Sequence, residues 1–184
     1  MAKRGTWMQR WRVPLGFVCA ALFFFFSRPR PLTLAIGGAI AVPGLALRAW
    51  ATGHLRKNDT LATTGPYAYT RNPLYLGSFF LGVGFTIASG RPILGIIFAA
   101  LFLGIYVPVM RVESATLAEL FGDRYQQYLE AVPIFLPRLS PYHAGVKDDK
   151  KFDASLYKRY REYRATIGLI IAWALLALKG LYFR

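Results

Sequence analysis

Long apolar runs alternate with short polar, turn-rich segments along most of the chain. The runs cover residues 13–26, 32–51, 74–89, 93–110 and 165–183, and basic, aromatic or proline residues flank them. About 20 apolar residues span a bilayer, and a shorter run also suffices when flanking basic side chains extend to the interface. We therefore predict an all-α fold, a polytopic membrane bundle of about five transmembrane helices.

The predicted helices differ in the surfaces that they offer to one another. Small residues on the second run, among them Gly37, Ala41 and Gly44, would let another helix approach closely. A tight turn joins the third and fourth runs, which we predict to form a helical hairpin. After Met110, apolar side chains recur at the helical period, which predicts an amphipathic helix on the cytoplasmic membrane surface. One side of this helix comprises Glu113, Leu117, Leu120, Phe121 and Tyr128.

Composition and charge favour membrane lipid as a partner. The chain is 55% hydrophobic and carries 23 lysines and arginines against 9 acidic residues, a net charge of +14. The basic residues flank apolar runs, as expected for contacts with anionic lipid, and form no recognisable nucleic-acid module, so we predict no nucleic-acid partner. With one cysteine, Cys19, and two histidines, we predict neither a metal site nor an internal disulfide.

The distribution of charge also predicts an orientation. If the amino terminus is cytoplasmic, most of the 23 basic residues fall on the cytoplasmic side, in accord with the positive-inside rule. The turn-rich stretch before the third run and the amphipathic helix then share that side. We predict a multi-pass integral membrane protein whose amino terminus and active site are cytoplasmic.

The turn-rich stretch before the third run carries the most informative pattern in the chain. It reads GPYAYTRNPLYLG over residues 65–77 and places two proline turns, an arginine and three tyrosines at the mouth of a helix. It resembles the signature of the isoprenylcysteine carboxyl methyltransferase and phospholipid methyltransferase superfamily, G-P-Y-x-x-x-R-H-P-x-Y-x-G. Asn72 departs from this signature, because the family has histidine there.

A second block is similar to the carboxyl-terminal pattern of the same superfamily, E-E-x-x-L-x-x-x-F-G-x-x-Y-x-x-Y followed by a proline-bounded segment. It is matched here by Glu113, Leu117, Phe121, Gly122, Tyr125, Tyr128, Pro133 and Pro137. Ser114 replaces the second glutamate, and Val109 stands where isoprenylcysteine-type members commonly have arginine. We predict a single membrane domain with a two-helix scaffold (1–51), a cofactor-binding core (52–137) and a linker with the fifth helix (138–184).

The resemblance implies that S-adenosylmethionine binds between the two blocks, with a lipophilic small-molecule or lipid-modified substrate entering from the bilayer. Glu113 would pair with the ammonium group of the donor and Arg71 would hold its carboxylate. Tyr67 and Tyr75 would pack against its adenine or sulfonium. The predicted cofactor-binding set is Thr60, Leu61, Ala62, Tyr67, Arg71, Asn72, Pro73, Tyr75 and Glu113.

The implied reaction is methyl transfer by direct displacement, for which an enzyme mainly aligns donor and acceptor and excludes water. We predict Glu113 and Arg111 as catalytic residues, with Arg111 substituting for the cation that is absent at Val109. Two acceptor classes stay open, one like an isoprenylcysteine carboxylate and one like a phospholipid amine. The departures at Val109, Asn72 and Ser114 count against the first class.

Two other functions match parts of the same pattern. Membrane sterol and steroid reductases carry a similar R-H-P-x-Y ending that helps to bind NADPH, although those chains are generally longer. A non-catalytic membrane adaptor would retain the cofactor fold without the activity. The residues also have plainer interpretations, with Arg71 as an interfacial anchor, the tyrosines as an aromatic belt and His54 as a hydrogen-bonded bystander instead of a general base.

Overall fold

The computed structural model describes residues 20–56, 59–143 and 151–182, and every regular element within these ranges is helical. Residues 20–26 form the described part of α1. The other elements are α2 (Pro31–Thr52), a 3-10 helix (Gly65–Ala68), α3 (Pro73–Ala88), α4 (Pro92–Phe121), α5 (Asp123–Ala131), α6 (Ala154–Arg159) and α7 (Tyr163–Tyr182). The predicted all-α fold is confirmed.

Helices α2, α4 and α7 are each long and apolar enough to cross a bilayer. Helix α3 is also apolar but has only 16 residues. Most of the first predicted helix, including Cys19, lies outside the described residues. The described part of the chain thus contains three candidate spans, and the prediction of about five is not established by it.

Helices α2 and α3 pack with their backbones almost in contact. A Cβ atom added to Gly84 would lie 2.6 Å from the carbonyl oxygen of Gly37, and one added to Gly44 would lie 2.7 Å from that of Gly77. Only glycine allows such an approach, so the predicted close contact through small residues is confirmed. The two helices run antiparallel, which places the start of α3 beside the end of α2.

Helix α4 continues from the membrane into the segment that we predicted to be a separate amphipathic helix. The predicted boundary at Met110 was wrong, because no glycine or proline interrupts the backbone between Met110 and Phe121. The change from apolar to charged residues marks where the helix leaves the membrane, and its backbone hydrogen bonding continues past this point. The break falls at Gly122, whose φ of 52° suits glycine. Helix α5 follows and buries Tyr125 and Tyr128.

After α5, residues 133–142 return along the stretch that precedes α3. The backbone N–H of Arg71 donates to the carbonyl of Pro133 at 3.0 Å, and that of Tyr142 donates to the carbonyl of Ala68 at 2.9 Å. These bonds hold the second sequence block against the first. The geometry between the two blocks is therefore set by backbone contacts as well as by side chains.

The carboxyl-terminal part of the chain docks on the end of α2. The N–H of Asp153 donates to the carbonyl of Gly53 at 2.9 Å, and the ring of Phe152 covers Gly53 so closely that a Cβ atom there would overlap it. Asp153 also accepts a hydrogen bond from the N–H of Ser155 at 2.8 Å and so caps α6. Hydrogen bonds from Ser155 lower the pKa of the Asp153 carboxyl below its usual value.

Candidate functional site

A cavity of about 760 Å³ lies where the start of α3, the carboxyl-terminal half of α4 and α5 meet. Its lining includes every residue of the predicted cofactor-binding set: Thr60, Leu61, Ala62, Tyr67, Arg71, Asn72, Pro73, Tyr75 and Glu113. Arg111 is exposed and does not line the cavity, because residues two apart on a helix point to different sides. The two sequence blocks meet at this cavity although the α3–α4 hairpin separates them along the chain.

The carboxylate of Glu113 is held by a tyrosine from the first block. The hydroxyl of Tyr75 donates to Oε1 of Glu113 at 2.8 Å. The ring of Tyr75 meets that of Tyr106 edge-on at 5.3 Å, and Tyr106 stacks on Phe102 at 4.7 Å. Sequence reasoning missed Tyr106, although it lies two helical turns before Glu113 and thus on the same face of α4.

Arg71 presents an unsatisfied donor at the cavity. Its backbone N–H is bonded to Pro133, but the side-chain Nε is buried and has no hydrogen-bond partner within the described part of the chain. Leaving a buried donor unpaired costs about 1–3 kcal/mol. A ligand with an acceptor group, such as a carboxylate, would satisfy this atom, so the residues present fit the carboxylate of the predicted donor.

Tyr67 and Tyr128 form the buried floor of the site. The hydroxyl of Tyr128 donates to the carbonyl of Tyr67 at 2.7 Å. Burial raises the pKa of both phenols far above the usual range, and the neighbouring Glu113 carboxylate raises that of Tyr67 further. Both side chains stay neutral at physiological pH, so they offer ring faces instead of acting as bases.

Asn72 stands at the cavity edge where the superfamily pattern has histidine. Its Nδ2 donates to the carbonyl of Ile134 at 2.9 Å. Beside it, Oγ1 of Thr70 donates to the carbonyl of Phe135 at 2.9 Å. The Asn72 side chain therefore connects the turn before α3 to the segment after α5. The contact requires a hydrogen-bond donor, which both asparagine and histidine can supply.

Arg48 is a cavity residue that lies outside the predicted cofactor-binding set. Its Nε lies 2.6 Å from Oε1 of Glu162, and its Nη1 donates to Oγ of Ser78 and to the carbonyl of Leu74. This guanidinium joins α2, α3 and the start of α7 at the rim of the cavity. No pattern in the sequence indicated this pair, because 114 positions separate Arg48 and Glu162.

His54 supports the turn at Gly65. Its Nδ1 lies 3.0 Å from the carbonyl oxygen of Trp50, and its ring fills the space that a Cβ atom at Gly65 would occupy. Gly65 has a φ of 60°, which disfavours other residues. His54 does not line the cavity, so this geometry matches the interpretation as a hydrogen-bonded bystander.

Acidic groups are sparse around the cavity. Glu113 is the single acidic residue among the described residues that line it. Ser114, which replaces the second glutamate of the superfamily pattern, has its Oγ 2.7 Å from the hydroxyl of Tyr125 and so links α4 to α5. Across the described ranges, no group of three or more histidine, cysteine, aspartate or glutamate side chains is placed to hold a metal ion.

Comparison with known proteins shows that the chain is similar to a methyltransferase family and to individual proteins of several organisms. A family model for phospholipid methyltransferase matches residues 34–124, from α2 to the start of α5. The cobalt-zinc-cadmium resistance protein CzcN of Cupriavidus metallidurans is 35% identical over 142 residues, which are 72% of this chain and 64% of that protein. The protein-S-isoprenylcysteine O-methyltransferase of Schizosaccharomyces pombe is 28% identical over 123 residues, 67% of this chain and 48% of that protein.

The enzyme of the same name from Rattus norvegicus is 32% identical over 92 residues, 49% of this chain and 32% of that protein. The chain thus spans less than two thirds of the length of each of these relatives. Among solved structures, no significant match was found. The matched region contains the turn before α3, the hairpin and Glu113, which line the cavity, whereas Tyr125 and Tyr128 on its α5 side lie beyond the match.

Proposed function

Because the chain belongs to the superfamily of the isoprenylcysteine and phospholipid methyltransferases, we propose that it is a membrane methyltransferase. In this proposal S-adenosylmethionine is the methyl donor and a lipophilic molecule is the acceptor. The supporting observation is that both superfamily blocks line one cavity of about 760 Å³. Cavities of about 300–1,000 Å³ are usual for cofactors and other small molecules.

The charges at the cavity match the two charged ends of an amino-acid group. Arg71 offers its buried, unpaired Nε to a carboxylate, and Glu113 offers a carboxylate to an ammonium group. The rings of Tyr67, Tyr75 and Tyr106 add aromatic faces, which attract a sulfonium or stack on a purine. When bound, the donor supplies an electrophilic methyl group.

The chain's own residues have the task of orienting the reactants and excluding water. The hydrogen bond from Tyr75 fixes the Glu113 carboxylate in one direction. The ring of Tyr106, which stacks on the buried ring of Phe102, extends the wall of the cavity from Glu113 along α4 toward the apolar, membrane-spanning part of the helix. An acceptor that arrives from the bilayer would approach along this aromatic side, with either a carboxylate or an amine as its reacting group.

We propose further that the site faces the cytoplasm. The argument is the excess of lysine and arginine on the side of the chain that carries the two blocks. Labelling of a cysteine at position 127, exposed on α5, by an impermeant maleimide in oriented vesicles would test this arrangement.

Calorimetry on the detergent-purified protein tests the reaction class. We expect saturable binding of S-adenosylhomocysteine and none of NADPH. We expect Glu113→Gln to weaken that binding, whereas Glu119→Gln, an exposed acid on the same helix, should leave it unchanged. Binding of NADPH alone would support the reductase, and binding of neither compound would support the adaptor.

A further inference from the structure

The segment between α5 and the carboxyl-terminal helices exposes apolar side chains without regular structure. We call residues 133–139, PIFLPRL, the apolar loop. Leu136 is 73% exposed, Leu139 is fully exposed and Ile134 is 37% exposed. Such a concentration of exposed leucine and isoleucine in one short stretch marks a surface that contacts another apolar phase.

The apolar loop reaches into the part of the fold that spans the bilayer. The ring of Phe135 lies 5.7 Å from that of Phe79 on α3 and 5.8 Å from that of Phe102 on α4. Along α4, Phe102 lies about 12 Å inward from Met110, where the apolar part of the helix ends. Along α3, Phe79 lies about 9 Å inward from Pro73. The Phe135 ring is thus at the depth of the acyl chains.

Three carbonyls of the apolar loop are paired with protein groups and do not need water. The three carbonyls of residues 133–135 each accept a hydrogen bond from the turn before α3, through the N–H of Arg71, Nδ2 of Asn72 and Oγ1 of Thr70. These bonds are 3.0, 2.9 and 2.9 Å long. Irregular backbone is tolerated at membrane depth only when other protein groups satisfy it in this way.

The single charge of the apolar loop is turned away from the exposed leucines. Nη1 of Arg138 donates to the carbonyl of Ala131 at 2.9 Å, and Nη2 donates to Oγ of Ser140 at 3.3 Å. The guanidinium thus caps the end of α5, where a cation is favoured. Leu136 and Leu139 on either side remain free to contact hydrocarbon.

We propose that the apolar loop is inserted into the acyl-chain region of the bilayer beside α3 and α4. The loop is too short to span, and its contact with lipid adds a membrane attachment to those that the helices provide. Two of these three hydrogen bonds connect the inserted loop to Arg71 and Asn72 at the cavity. Contact with lipid therefore helps to position the turn that carries Arg71.

Spin labelling measures this insertion directly. The native Cys19 is replaced by serine, and single cysteines are introduced as Leu136→Cys and Leu139→Cys, both at exposed sites where a label disturbs no packing. Each variant carries a nitroxide in nanodiscs of phosphatidylcholine and phosphatidylglycerol. Collision rates with oxygen, which partitions into lipid, are compared with those of a water-soluble nickel chelate. Circular dichroism confirms that each labelled variant keeps its helical content.

Two controls bracket the result. Ile96→Cys on the spanning part of α4 is 66% exposed and reports hydrocarbon, and Gln127→Cys on α5 is exposed and reports the aqueous side. We expect the labels at positions 136 and 139 to collide with oxygen in preference to nickel, as the label at position 96 does. Nickel accessibility equal to that of position 127, or low accessibility to both reagents, would overturn the proposal.

Discussion

Replacement of Arg71 by methionine separates a residue kept for a ligand from one kept for the fold. Methionine retains a flexible apolar side chain and the backbone N–H that bonds Pro133, but it removes the buried Nε that has no partner in the described part of the chain. Without ligand, the variant therefore loses an unsatisfied donor, a change that relieves a cost of about 1–3 kcal/mol. We expect its unfolding temperature to be equal to that of the wild type or higher.

Binding should change in the opposite direction. A hydrogen bond to a charged group contributes about 1.5–3 kcal/mol, so the loss of Arg71 should weaken binding of S-adenosylhomocysteine about 10-fold to 140-fold. A residue that destabilises the ligand-free protein but stabilises the complex gives these opposite changes on replacement: the unfolding temperature is kept or raised, and the affinity falls. If Arg71 served only as an interfacial anchor, its replacement would leave binding of S-adenosylhomocysteine unchanged.

Two measurements on the same detergent preparation decide the matter. Titration calorimetry gives the dissociation constant, and differential scanning fluorimetry gives the unfolding temperature with and without ligand. Arg91→Met, at the far end of the α3–α4 hairpin, is the matched control and should bind as the wild type does. Unchanged binding by Arg71→Met, or a clear fall in its unfolding temperature without ligand, would refute the assignment of Arg71 to the donor carboxylate.

Three further predictions follow from individual contacts. Tyr75→Phe removes the hydrogen bond to Glu113 and keeps the ring, so we expect calorimetry to show weaker donor binding with little change in unfolding temperature. Gly84→Val should separate α2 from α3 and destabilise the fold by about 1–3 kcal/mol in denaturant titrations, whereas Gly104→Ala, with open space around it, should not. The raised pKa of Tyr128 predicts stability that is fully present below pH 10.0, its unfolded value, and is lost as pH rises above it. Unfolding measured across alkaline pH should show this loss. In Tyr128→Phe, the free energy of unfolding should fall less steeply with pH.

The sequence predicted which segments of the chain meet more accurately than where the helices around them begin and end. Glu113 and Tyr75 were placed together because two blocks with fixed spacing resembled one superfamily, and their hydroxyl–carboxylate distance is 2.8 Å. The uninterrupted course of α4 was missed because a change in polarity was taken for a change in backbone. The pair of Arg48 with Glu162 was beyond prediction, since the signal for a contact over 114 positions lies in the packing of α2 and α7.

The length of α4 connects the thickness of the membrane to the height of Glu113. Its 30 residues extend over about 45 Å, of which the apolar part from Pro92 to Met110 takes about 28 Å, close to the hydrocarbon core of about 30 Å. When the bilayer is thinner than this apolar part, the helix responds by tilting, and Glu113 moves with it because the helix continues past Pro108 to Phe121 without a break. Hydrophobic mismatch would then shift the cavity relative to the lipid headgroups. The lipid composition of the host membrane would therefore change the distance between the cavity and an acceptor in the bilayer.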